Sequence, residues 1–230
     1  MQAIKCELCG SSDIMKQDGF FQCQNCKTKY SLEEARKLIG VVKIDKTDDI
    51  ENLLTLARRN FDSLKYDESD KYYELVLREA PNNWEAVFFH TWLSVNETYR
   101  EHPLVNLKNL LDGTSLALEF VPQQLDTEQQ HKALSKIVNL HSMLVCDVIS
   151  ATKLFGIATP TYIGSYELIR QTSSLYEFME SLVKNHFAED HELLKKVQQT
   201  NYTILEQNPK IFPRRERRER MKRLKAEMKK

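Results

Sequence analysis

Glycine is scarce in this chain, at 6 of 230 residues, about 2.6% against a typical ~7%. That scarcity argues against sandwiches, barrels and Gly-rich nucleotide-binding folds, which need many tight turns. No apolar run approaches the ~18 residues of a membrane span. The opening residues, Met1-Gln2-Ala3-Ile4-Lys5-Cys6, contain no apolar stretch that could serve as a secretion signal, so a cytoplasmic protein is expected. HExxH, GxSxG, GxGxxG and Walker A sequences are all absent, and a non-enzymatic role is the expectation.

Against these absences, 41% hydrophobic and 29% charged residues describe a chain with a core and a soluble surface. Its 33 basic and 33 acidic residues balance only in total. Residues 210–230 hold eleven Lys and Arg against three Glu, a net of +8, which leaves 22 against 30, a net of −8, for the rest. An acidic body with a strongly basic tail suggests an interaction arm.

Four of the five cysteines, Cys6, Cys9, Cys23 and Cys26, read C-x2-C-x13-C-x2-C. Each C-x2-C pair bends the chain so that two sulfurs converge, and two pairs supply the tetrahedron of thiolates that Zn²⁺ prefers. One structural Zn²⁺ is expected, with iron in a rubredoxin-like site as the alternative and a disulfide framework disfavoured in a reducing compartment. With every ligand a cysteine, no coordination position is open to water or substrate, so the metal should hold the fold rather than do chemistry. Asp18-Gly19 marks a hairpin turn between Ile14-Met15-Lys16 and Phe20-Phe21-Gln22. Gly10 can take the left-handed conformation that follows such a pair, and Lys27 stands at the matching place after the second pair, at some cost.

Residues 4–38, from Ile4-Lys5-Cys6-Glu7-Leu8-Cys9-Gly10 through Phe21-Gln22-Cys23-Gln24-Asn25-Cys26 to Tyr30-Ser31-Leu32-Glu33-Glu34-Ala35, resemble a transcription-factor-IIB-type zinc ribbon. Small bacterial and phage proteins carry similar ribbons. The resemblance implies the metal fold; for function it implies contacts with either protein or nucleic acid. Residues 1–40 hold six basic and five acidic side chains, little surplus for gripping phosphates, although Lys16, Lys27 and Lys29 are there.

Beyond the ribbon the apolar spacing is helical. Ser31-Leu32-Glu33-Glu34 is a capping box for a short helix ending near Gly40, residues 41–44 read as a connector or short edge strand, and Thr47-Asp48-Asp49 caps a new helix. Residues 50–83 resemble one tetratricopeptide repeat: Leu53, Leu56, Ala57, Asn60 and Phe61 in the first helix, Ser69, Tyr72, Tyr73, Val76 and Leu77 in the second, Pro81 at the close. A generic helical hairpin would share those residues. Trp84 begins a second unit that His102-Pro103 interrupts. Three long helices follow: one capped at Asp126-Thr127 with the stripe Leu134, Ile137, Val138, His141, Leu144, Val145, Val148 and Thr152, one from Tyr162 to about Phe187, and one from Ala188 to about Glu206.

His141 reads as a core histidine and Cys146 as a half-buried inert thiol, while His186 and His191 are not spaced to share a helical face. Tyr72, Tyr73, Trp84, Phe88 and Phe89 either line a peptide groove or pack the hairpins. In the tail, Pro209 and Pro213 should uncouple a helix bearing Arg214, Arg215, Arg217, Arg218, Arg220, Lys222, Arg223 and Lys225 as candidate polyanion contacts, with a thin seam of Met221, Leu224 and Met228. The readings are an arm for nucleic acid, for an acidic partner or for a membrane surface, a segment folded back on the acidic body, or a solvated end.

The expectation is therefore a mainly α chain: a zinc ribbon with a short β-hairpin at 1–40, a linker at 41–47, an all-α, tetratricopeptide-like body at 48–209 with its repeat-like unit at 48–83, and a basic helical tail at 210–230. The leading function is a non-enzymatic zinc-binding adaptor that binds protein partners through the body. The alternative is a nucleic-acid-associated regulator that uses tail and ribbon.

Overall fold

A computed structural model describes residues 6–17, 20–31, 47–156 and 162–229, and the chain divides into two compact units, residues 1–49 and 50–230. In the first unit, strands β1 (Ile14–Gln17), β2 (Phe20–Cys23) and β3 (Lys29–Tyr30) form an antiparallel sheet in the order β1-β2-β3. Gln17 pairs with Phe20, so two residues separate the strands, as the hairpin reading requires. Asp18-Gly19 itself, the helix expected after Ser31 and the connector at 41–44 lie outside the described residues. The third strand was not expected: Phe21 pairs with Tyr30, and Gln22 with Lys29. That pairing places Ile14, Cys23, Phe21 and Tyr30 on one face of the sheet, where Cys23 and Tyr30 are buried.

Eight helices follow among the described residues: α1 (Thr47–Asp62), α2 (Tyr66–Glu79), α3 (Trp84–Thr98), α4 (Pro103–Gln124), α5 (Thr127–Gly156), α6 (Tyr162–His186), α7 (His191–Gln207) and α8 (Arg214–Glu227). The chain is mainly α with a small N-terminal sheet. Chain neighbours pack as hairpins, and α5 also meets α3 and α7 while α4 meets α6.

α1 and α2 cross at two small residues, Ala57 and Ser69, both fully buried, where the Ser69 hydroxyl donates to the Ala57 carbonyl at 2.9 Å. The turn between them is a Schellman close: Lys65 N–H donates to Asn60 O and Leu64 N–H to Phe61 O, with Leu64 in the glycine-favouring left-handed region at φ 58°. α3 is central, with Trp84 through Phe89 buried without a break and Trp92, Leu93 and Val95 buried beyond them. The aromatic residues are core rather than groove: Tyr73 stacks on Phe89, and Phe61 meets Phe89 and Trp92 edge to face. Only Tyr72 of the five aromatic residues is half-exposed.

Pro103 does not interrupt a helix; it starts one, at the first position of α4, where its missing N–H has no intrahelical partner to lose. α4 packs tightly against α3 at Gly113, where a Cβ would lie 2.4 Å from Thr91 Oγ1 and 2.9 Å from Thr91 Cβ. At the start of α5, Gln129 N–H donates to the Asp126 carboxylate and Asp126 N–H to the Gln129 side chain, a reciprocal cap. Every residue of the expected α5 stripe, from Leu134 to Thr152, is buried. The most apolar 18 residues of α5, within Thr127–Thr152, reach a mean hydropathy of 1.3, long and apolar enough by composition to cross a membrane, and half of that window is buried inside the fold. α7 begins at His191 rather than Ala188 because the Asp190 carboxylate accepts from Leu193 N–H and fixes the start.

Candidate metal centre and the basic C-terminal helix

The two C-x2-C pairs form matching knuckles. In the first, Gly10 N–H donates to Cys6 O at 2.8 Å and Cys6 N–H to Ser11 O at 2.8 Å; in the second, Lys27 N–H donates to Cys23 O at 2.9 Å and Cys23 N–H to Thr28 O at 2.9 Å. Gly10 and Lys27 are both left-handed, at φ 71° and 61°. The turn geometry overrides the preference for glycine at the second site.

All four sulfurs lie within 4.8 Å of one another, with Cys6 Sγ 3.4 Å from Cys26 Sγ and Cys9 Sγ 3.6 Å from Cys23 Sγ. A tetrahedral thiolate site with metal–sulfur bonds of ~2.3 Å has edges of about 3.8 Å, so the cluster could hold one metal ion. Cys6 and Cys23 are buried and Cys9 and Cys26 exposed.

Hydroxyl groups support the sulfurs from outside: Tyr30 Oη is 3.0 Å from Cys6 Sγ and Thr28 Oγ1 is 3.1 Å from Cys26 Sγ. The Tyr30 hydrogen bond pulls the Cys6 thiol down to about 6, and the Thr28 hydroxyl lowers Cys26. Cys9 has a Ser11 backbone donor that favours its thiolate, yet local desolvation and the other three sulfurs raise it to about 11. Like charges packed this closely oppose the last ionisation, and a cation at their centre removes that opposition.

The basic tail is not an uncoupled arm. Of the readings offered by its sequence, the structure takes the one in which the tail folds back on the body. Ile211 and Phe212, in the segment between the two prolines, are buried, and Arg170 donates twice to the Ile211 carbonyl at 2.8 and 3.0 Å. Leu224 is wholly buried, with Met221 and Met228 packed half-buried against the same core. Arg220 reaches Glu177 at 2.9 Å and Ser173 Oγ at 2.7 Å, and its guanidinium lies 5.5 Å from the Phe212 ring centroid. Arg223 pairs with Glu180 at 3.1 Å. Buried Glu180 also accepts from Lys184 and Gln198, and both of these reach Glu227 of α8.

The eight candidate polyanion residues therefore divide. Arg220 and Arg223 belong to the contact with the body, and Arg217 is half-buried, whereas Arg214, Arg215, Arg218, Lys222 and Lys225 are exposed. Arg215 pairs with Glu219 at 3.0 Å within α8.

Two further polar arrangements join residues that are distant along the chain. Arg58 forms a two-point pair with buried Glu85, at 2.7 and 2.6 Å, and Tyr73 Oη donates to the same carboxylate. His141, on the α5 stripe, is fully buried; Nδ1 lies 2.8 Å from Tyr176 Oη, and Nε2 has no partner among the described residues. Burial alone drives this imidazole down to about 3, so it is neutral at physiological pH. Cys146 is half-buried, as its sequence position suggested.

Comparison of the chain with protein-family models, with curated proteins and with solved structures finds no match.

Proposed function

We propose that this chain is a non-enzymatic adaptor that binds Zn²⁺ structurally through Cys6, Cys9, Cys23 and Cys26 and carries partner proteins. Its ribbon is of the transcription-factor-IIB type, and its helical body offers hairpins of tetratricopeptide character, the first bearing small buried residues at Ala57 and Ser69 and closing at Pro81. The observation that carries this reading is a closed metal cluster beside an open apolar face. Four thiolates fill a tetrahedral ion and leave no position for a reacting water. On the sheet face opposite Cys23 and Tyr30, Met15 and Phe20 are 59% and 48% exposed, and Leu8 in the first knuckle is 76% exposed. Three large apolar side chains in so small a ribbon suit a protein contact better than a phosphate backbone.

The test combines metal analysis with affinity capture. Purified protein should hold about one equivalent of zinc, and Cys23→Ser should lose it. Proteins captured from a nuclease-treated lysate by the intact chain should be depleted when Met15→Asp and Phe20→Asp are combined, with zinc content unchanged. Protein lacking bound metal, or capture that vanishes with nuclease, would sink the reading.

A further inference from the structure

The docking of α8 sorts its charges onto two faces. One face carries Arg220, Arg223 and Glu227 to carboxylate and amine partners on the body, together with Leu224. On the other, Arg214, Arg218, Lys222 and Lys225 follow one another at steps of four, four and three residues, all exposed. At about 100° per residue these four fall within an arc of roughly 80°, and at 1.5 Å per residue they extend over about 16 Å of helix. Among the described residues none of the four has an ion-pair partner. The acidic residues of the helix stay off this arc: Glu219 pairs with Arg215, Glu216 with Arg220, and Glu227 with Lys184.

We infer that this ridge binds the phosphate backbone of nucleic acid, independently of the adaptor reading above. Its spacing of about 6 Å per step sets a row of cations beside a polyanion that carries a charge every ~3.4 Å along each strand. The row is held ready. Buried Ile211, Phe212 and Leu224 and the Arg220 and Arg223 pairs fix the helix on the body, so little ordering is left for binding. The same docking disfavours a membrane surface, because Met221, Leu224 and Met228 all pack against the body and leave the cationic face without an apolar anchor. A body of net −8 outside the tail repels a polyanion elsewhere and confines the contact to this face.

The experiment is fluorescence anisotropy of the full chain against a labelled DNA duplex of about 20 base pairs and an RNA strand of matching length, across a salt series. Four phosphate contacts give a slope of log K against log salt of about −3.6 on the duplex and about −2.8 on the single strand, and the two arms show which nucleic acid is preferred. The variant combining Arg214→Gln, Arg218→Gln, Lys222→Gln and Lys225→Gln alters only exposed side chains and should keep its thermal melt. It should bind on the order of 100-fold more weakly at low salt, with a slope near zero. Arg223→Gln, on the docked face, should change the slope by less than about one.

The proposal is overturned by wild-type protein that fails to bind either nucleic acid at low salt or shows a duplex slope shallower than about −2. It is also overturned if the quadruple variant retains the wild-type slope, or if phosphatidylserine vesicles or polyglutamate bind more tightly than both nucleic acids. Loss of the ridge with nuclease-resistant protein capture intact would leave the adaptor reading standing.

Discussion

His141 shows how a single residue ties this fold to pH. Its imidazole is enclosed between α5 and α6, bonded at Nδ1 to Tyr176 and unpartnered at Nε2. In the unfolded chain it titrates near 6.5; in the fold burial moves it to about 3. Between those values the unfolded state binds the extra proton, so stability falls as pH drops from about 6.5 towards 3, by at most about 1.4 kcal/mol per pH unit. Thermal melts at pH 7 and pH 5 should differ by several degrees for the wild type. His141→Gln, which cannot take up the proton, should flatten that difference even though it lowers stability at both pH values. A wild-type melting temperature equal at the two pH values would remove His141 from the account. The carboxylates that are depressed in the fold act further down the scale: Glu180, whose burial is outweighed by Lys184, Gln198 and Arg223, contributes stability that is lost as it protonates below the ordinary Glu range.

Among the elements, the α3–α4 contact at Gly113 offers a sharp test. Alanine normally stabilises a helix interior by about 1 kcal/mol over glycine. Here its Cβ would meet Thr91 at Oγ1, Cγ2 and Cβ, and no side-chain rotation relieves a clash with Cβ. Gly113→Ala should therefore destabilise by about 1–3 kcal/mol, read by chemical denaturation, and Thr91→Ala in the same chain should recover part of that loss. Stabilisation by the single change would show that the helices are not in close contact. Much of the element order was legible in the sequence wherever the signal is local. The cysteine spacing marks the knuckles, the Asp126 cap marks α5, and the stripe of α5 marks its buried face. α4 was hidden because Pro103 serves equally as a stop or as a first residue, and only packing decides between them. The docking of α8 was hidden for a different reason. Its seam of three apolar residues looks thin until Ile211 and Phe212 are added, and Glu177 and Glu180 lie more than forty residues away from Arg220 and Arg223 in sequence.

Taken whole, the second unit is incomplete without residues 210–230. Ile211, Phe212 and Leu224 are each worth about 1.5–3 kcal/mol when fully buried, before any ionic contribution. A chain ending at Pro209 should melt well below the full-length protein. The deficit should narrow in high salt, which screens the part-exposed Arg223 pair, without closing, since apolar burial is not screened. Superimposable melts would return the tail to the status of a free arm. The same dependence bears on how the protein comes into being. Synthesis proceeds from the N-terminus, so the four cysteines emerge before the helices, and α8 emerges after α6 and α7 into a socket that those helices have already built. Until then the nascent chain presents bare apolar surface beside the carboxylates of Glu177 and Glu180. The arrival of α8 closes the fold, and a chain stopped before it exposes the kind of surface that chaperones and proteases recognise.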